Sequence, residues 1–184
     1  TAVGRDALGA TTVGGNTAVG SLALASNTTG VRNVAVGFFA TTDSTTASDS
    51  TSIGYLALGN NTTGAQNTAV GSGAMQTSTI GANNVAVGMN ALRYNTTGSY
   101  NGAFGQNALN ANTTGSNNSA FGTSALAVNT TGANNTAVGN YALSANTTAS
   151  NATAVGHYAG ASNTTGAQLT AIGYNAAGSV TTAN

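Results

Sequence analysis

The chain has 184 residues, of which only 3% are charged: Arg5, Arg32 and Arg93 stand against Asp6, Asp43 and Asp49, the net charge is zero, and there is no Lys, Glu, Pro, Cys or Trp. Three scattered arginines cannot displace the counterions that binding to phosphates requires, so no nucleic-acid partner is expected. The lack of cysteine excludes disulfides and thiolate metal sites, no apolar run approaches the roughly 18 residues of a membrane-spanning helix, and the abundance of Thr, Val and Ala argues against disorder.

From the first residues onward the chain repeats itself. The tripeptide Ala-(Val/Ile/Phe)-Gly, with Ser for Ala once, ends at Gly4, Gly20, Gly37, Gly54, Gly71, Gly88, Gly105, Gly122, Gly139, Gly156 and Gly173, with a first interval of 16 residues and nine of 17. The consensus Asn-(Thr/Val)-Ala-Val-Gly-x-x-Ala-Leu-x-x-Asn-Thr-Thr-Gly-x-x runs from Asn135 to Asn151, with Ala149 in the last Gly position. A period of 17 is shorter than the units of helical-hairpin, propeller or leucine-rich repeats, which begin at about 20 residues. Gly, Asn and Thr in every unit also disfavour helix. Thr136-Ala137-Val138-Gly139 reads as a short strand closed by a glycine turn, and Asn129-Thr130-Thr131-Gly132 as a second strand edge and turn. The expectation is an all-β, parallel β-solenoid (β-roll) of about eleven 17-residue coils, one per repeat. At about 4.8 Å per coil this makes a rod roughly 50 Å long. Residues 1–184 are expected to form one tandem-repeat unit, uncapped at both ends and part of a longer fibre or filament.

In a solenoid each residue stacks on its counterpart one repeat away, so every column must be compatible with itself. The column Val19, Val36, Ile53, Val70, Val87, Phe104, Phe121, Val138, Val155 and Ile172 is always apolar and is expected to face the core. Ala18 and its equivalents form a ridge of small side chains on the alternate face, allowing close approach of an opposite wall or a neighbouring chain. A second apolar column, Leu24, Leu58, Met75, Leu92, Leu109, Leu126 and Leu143, is broken at Thr41, Gly160 and Ala177. Asn61, Asn95, Asn112, Asn129 and Asn146 are expected to form a stacked amide ladder, Asn67, Asn84, Asn101, Asn118 and Asn135 another, and Thr62, Thr96, Thr113 and Thr130 belong to an unbroken threonine column. Asn27-Thr28-Thr29 and its copies match a glycosylation acceptor pattern, which a ladder would render inaccessible. Arg32 and Asp49 lie 17 residues apart and are expected to pair between adjacent coils.

Segments such as Asn33-Val34-Ala35-Val36-Gly37 and Asn84-Val85-Ala86-Val87-Gly88, each with Ala three residues after the Gly, resemble the head repeats of YadA-like trimeric autotransporter adhesins. Similar runs with interleaved Asn-Thr-Thr-Gly occur in bacteriophage tail-fibre-like proteins. The resemblance covers the whole chain and implies a parallel β-roll, three chains side by side, and adhesion at a cell or virion surface.

Candidates for chemistry are few. His157 falls at a variable turn position and reads as an exposed turn histidine. Asp43 and Asp49 share the most divergent unit, but calcium usually wants six or more oxygens with several carboxylates, so a solvated polar coil is the better reading. The recurring Gly lacks the helix and Lys of a phosphate loop. No enzyme activity and no cofactor are expected. Phe38, Tyr55, Tyr141, Tyr158 and Tyr174, with Phe39, follow the repeat Gly and suggest a surface strip. The expected function is a structural or adhesive extracellular fibre, on a cell or virion surface, associating with itself as a homotrimer or end to end, with a host receptor or glycan as further partner and no insertion into membrane. The alternative is an ice-binding solenoid. Against it stands the adjacency of the paired threonines, which in an extended strand point to opposite faces.

Overall fold

The computed structural model describes residues 1–182. It is an all-β solenoid, with no helix among the described residues. Eleven short strands form one sheet in sequence order: β1 Ala2–Val3, β2 Thr17–Val19, β3 Val34–Val36, β4 Thr51–Ile53, β5 Thr68–Val70, β6 Val85–Val87, β7 Gly102–Phe104, β8 Ser119–Phe121, β9 Thr136–Val138, β10 Thr153–Val155 and β11 Thr170–Ile172. All pairings are parallel, and residue meets repeat-equivalent residue, as in Ala103 with Ala120 and Phe104 with Phe121. The 16-residue first interval pairs Ala2 with Ala18. The missing residue is absorbed at Gly15, whose φ of 85° suits the shortened turn. By Asn16 the register has resumed, since its Oδ1 accepts the backbone N–H of Asn33 at 2.9 Å.

After each strand the chain must turn sharply. The repeat glycines adopt φ between 124° and 139°. A Cβ at Gly105 would lie 2.6 Å from the carbonyl oxygen of Gly122, so the position admits only hydrogen. Two residues later Tyr141 (φ 59°) completes a turn closed by Ala142 N–H donating to Gly139 O at 3.2 Å. Leu143 follows with φ 50°, and Asn146 N–H then donates to Leu143 O at 3.1 Å. A leucine in the left-handed region costs about 1–2 kcal/mol. Full burial of its side chain contributes about 1.5–3 kcal/mol, so packing outweighs backbone strain and leucine persists where geometry alone would choose glycine.

The strands alternate out, in, out, and it is alanine that points in. Ala18, Ala35, Ala69, Ala86, Ala103, Ala120, Ala137 and Ala154 are fully buried. The Val/Ile/Phe column expected in the core lies on the outside instead: Val19, Ile53, Val87, Phe121, Val138 and Val155 are 36–44% exposed, and Val36, Val70 and Phe104 are half-buried. Space explains the inversion. The leucine column reaches the inner face of the strands: a Cβ built at Gly160, in that column, would stand 3.7 Å from Ala154 Cβ. With leucine on one side and two asparagine columns alongside, a methyl group is what the strand's inner side can carry. The core is therefore two alanine columns and the leucine column, with Ala23 and Leu24 and their equivalents buried.

Two breaks in the leucine column are compensated by neighbours. Thr41 meets Ser52, which interrupts the alanine column, and Thr41 Oγ1 donates to Ser52 Oγ at 2.6 Å. This polar pair divides the apolar core into two clusters, one ending at Ala40 and the other beginning at Ala57. At Gly160 the missing side chain is replaced by Leu169, which occupies an asparagine-column position: a Cβ on Gly160 would lie 3.0 Å from the Cδ2 atoms of both Leu143 and Leu169.

The Asn-Thr-Thr-Gly segments do not form a second strand. Thr130 and Thr131 N–H both donate to the same carbonyl, Thr147 O, at 2.8 and 3.4 Å. Two donors converging on one acceptor make a bent corner that still bonds coil to coil.

Candidate functional site

The interior holds the asparagines in two ladders of different purpose. In the first, Asn112 Nδ2 donates to Asn95 Oδ1 at 2.9 Å, Asn129 to Asn112 at 2.8 Å and Asn146 to Asn129 at 2.9 Å. Each amide also donates to a carbonyl three residues on, as Asn95 does to Gly98 O at 2.8 Å. Ser44 and Ser78 interrupt this ladder, and their shorter side chains leave the Asn27 and Asn61 Oδ1 atoms buried without a partner. Asn61 thus keeps its own-coil bond to Gly64 O at 2.8 Å but does not stack amide on amide. In the second ladder the amide oxygen accepts both the next side-chain amide and a backbone N–H of the next coil: Asn84 Oδ1 from Asn101 N–H at 2.9 Å and Nδ2 at 3.2 Å, and Asn118 Oδ1 from Asn135 N–H at 3.0 Å and Nδ2 at 3.1 Å. Both sets of side chains are buried. The asparagines of the Asn-Thr-Thr motif, Asn27, Asn61, Asn95, Asn112, Asn129, Asn146 and Asn163, are accordingly inaccessible in the folded rod.

The threonine column bonds hydroxyl to backbone, not hydroxyl to hydroxyl. Thr62, Thr96, Thr113 and Thr130 each donate Oγ1 to the carbonyl of the threonine one coil on, at 3.0 Å. The neighbouring threonines, Thr63, Thr97, Thr114, Thr131, Thr148 and Thr165, are exposed. Both members of each pair therefore face outward. The expectation that adjacent threonines point to opposite faces fails, because the corner is bent and not an extended strand.

Outside the sheet, two columns run side by side along the rod. One is the Val/Ile/Phe column. The other holds Thr17, Val34, Thr51, Thr68, Val85, Gly102, Ser119, Thr136, Thr153 and Thr170. Every member of this second column is β-branched except Gly102 and Ser119, and these two share their strands with the only phenylalanines of the first column, Phe104 and Phe121. The Phe104 and Phe121 rings stack at 4.7 Å and within 2° of parallel. Phe104 Cε2 lies 3.4 Å from where a Gly102 Cβ would sit, so the ring leans into the space the glycine leaves. This pairing of small with large is visible in the sequence as Gly-Ala-Phe and Ser-Ala-Phe among Thr-Ala-Val repeats, a signal passed over when the column is assigned to the core.

The aromatics after the repeat Gly form two separate clusters and not a continuous strip. Phe38 stacks with Tyr55 at 6.0 Å and packs on Phe39. Five coils on, Tyr141 stacks on Tyr158 at 5.0 Å, with His157 at 4.3 Å from Tyr158 and 5.7 Å from Tyr174. Ser72, Met89, Gln106, Thr123 and Asn140 occupy the column between. Arg32 and Asp49 do pair across adjacent coils, Nη2 donating to Oδ2 at 2.8 Å and Nε to Oδ1. The guanidinium hydrogen bond holds the Asp49 carboxyl below its ordinary range, and the same bond raises Arg32. Among the described residues there is no pocket and no group of three or more His, Asp or Glu placed to hold a metal ion. Set against known protein families, characterised proteins and solved structures, the chain matches none.

Proposed function

We propose that this chain is a rigid structural segment of an extracellular fibre, on a cell or virion surface, whose rods associate side by side through the outer face of the sheet. The observation that carries this reading is the outward column that stays apolar in ten successive coils. Water would favour threonine there, as the adjoining column shows at most of its positions. An apolar ridge kept along a whole rod is the mark of a face that is covered in use. The covering surface must repeat at the coil spacing of about 4.8 Å, and a second copy of this chain has that spacing. The resemblance to YadA-like head repeats supports three chains and an adhesive role, in which the two aromatic clusters would be the first surfaces to probe for a receptor or glycan. A non-catalytic role is supported by the scatter of Asp6, Asp43, Asp49 and His157 along the rod.

Light scattering on the purified chain tests the reading. Wild type should be a lateral oligomer at micromolar concentration, and the variant carrying Val70→Thr, Val87→Thr and Val138→Thr should be monomeric with an unchanged circular-dichroism spectrum. A monomeric wild type would contradict it.

Ice binding is the second reading, favoured by the exposed file of threonines beside hydroxyls already fixed by bonds to the next coil. Thermal hysteresis in a solution of the rods would support it, and its absence would remove it.

A further inference from the structure

We infer that copies docked through the outer sheet face are held in one axial register by the block Gly102, Phe104, Ser119 and Phe121, set against the same block of the second copy. This rests on the side-by-side association proposed above. A face that repeats every 17 residues offers a partner many nearly equal positions, each one coil from the next, so register has to come from a departure in the pattern. The outer face of the sheet has one such departure among the described strands: β7 and β8 replace the β-branched pair with Gly102 and Phe104, then Ser119 and Phe121.

The departure conserves volume. Where one column grows to phenylalanine the other shrinks to glycine or serine, and the Phe104 ring lies over Gly102. Solvent places no constraint on the thickness of a face, whereas a packed partner does. Phe121, on the adjacent coil, is 44% exposed with its ring parallel to that of Phe104. Block against block brings aromatic edges and faces together. A slip of one coil sets a phenylalanine against Thr136 and Val138 or Val85 and Val87, where no ring meets it. Aromatic pairing then favours the block-against-block register.

The chain lacks cysteine, so single thiols can be placed at will. S119C and T153C chains, mixed, reassembled and oxidised, report register directly. The two positions are two coils apart, about 10 Å along the rod and beyond the reach of a disulfide. In register, S119C–S119C bonds should exceed S119C–T153C bonds about tenfold. In an F104V/F121V background, which gives this column the valine of the neighbouring coils, that preference should vanish in particles that remain associated, with circular dichroism unchanged. Equal products from chains that still carry both phenylalanines, in particles that remain associated, would overturn the register inference alone. A monomeric S119C chain under reducing conditions would overturn the side-by-side reading and the inference with it.

Discussion

A buried amide is tolerated only when its donors and acceptors are paired, and this rod carries such amides in nearly every coil. Asn118 is typical: it donates to Gly132 O at 2.9 Å and accepts from the backbone of Asn135 at 3.0 Å. Asn118→Ala leaves the Asn135 N–H buried and unmet, while Gly132 O keeps the Asn129 amide at 3.0 Å, and should cost about 1–3 kcal/mol, read as a drop in the urea midpoint. Thr97→Ala, on the exposed threonine file, should change almost nothing. The converse substitution is Ser78→Asn. It offers Asn61 Oδ1 a donor and gives the Asn95 amide a partner below it, so it should stabilise the rod by about 1–2 kcal/mol and raise Tm. The amide ladder was legible in the sequence because side chains at a fixed period must stack. What the amide oxygens accept was not, because spacing does not say that one ladder meets only the next amide and the other a backbone N–H as well.

At the scale of the coil, backbone conformation sets most of the limits. Gly105, at φ 134° and with a Cβ position 2.6 Å from the Gly122 carbonyl oxygen, cannot become alanine without moving the next coil. Gly105→Ala should cost more than about 3 kcal/mol, measured by thermal unfolding. The divergent coil behaves differently because its departures are coupled. Ser52→Ala alone removes the acceptor of the Thr41 hydroxyl and should destabilise by about 1–3 kcal/mol. Thr41→Leu together with Ser52→Ala restores the common core and should stabilise, so a double-mutant cycle should show strong coupling. The strand, the glycine turn and the period could be read from residues alone. The direction of the strand could not: alternation divides Ala from Val, but which one faces in depends on the width of the coil. That width is set by the leucine column and by asparagines that are themselves inside. The inversion places the alanine ridge, read as facing either an opposite wall or a neighbouring chain, in the core, and moves the valine column from the core to the surface.

At the scale of the whole rod, ionic contributions are slight. The Arg32–Asp49 pair is exposed, and the lowered Asp49 carboxyl contributes stability that is present above the ordinary aspartate range and lost as pH falls through its depressed value. The Tm difference between wild type and Asp49→Asn should therefore be small at neutral pH, shrink with salt, and disappear at acid pH. What the rod presents to its surroundings is a long face of paired outward columns, and its proposed use is to be covered by copies of itself. Mass per unit length, measured on unstained particles by electron microscopy, tests that most directly. Seventeen residues per coil of about 4.8 Å give roughly 0.34 kDa per Å for one chain. Side-by-side association predicts a whole multiple of that value, three times if the particle is the trimer that the resemblance implies. The single-chain value along every rod would contradict it, and would leave the apolar column facing water with no account of why it is kept.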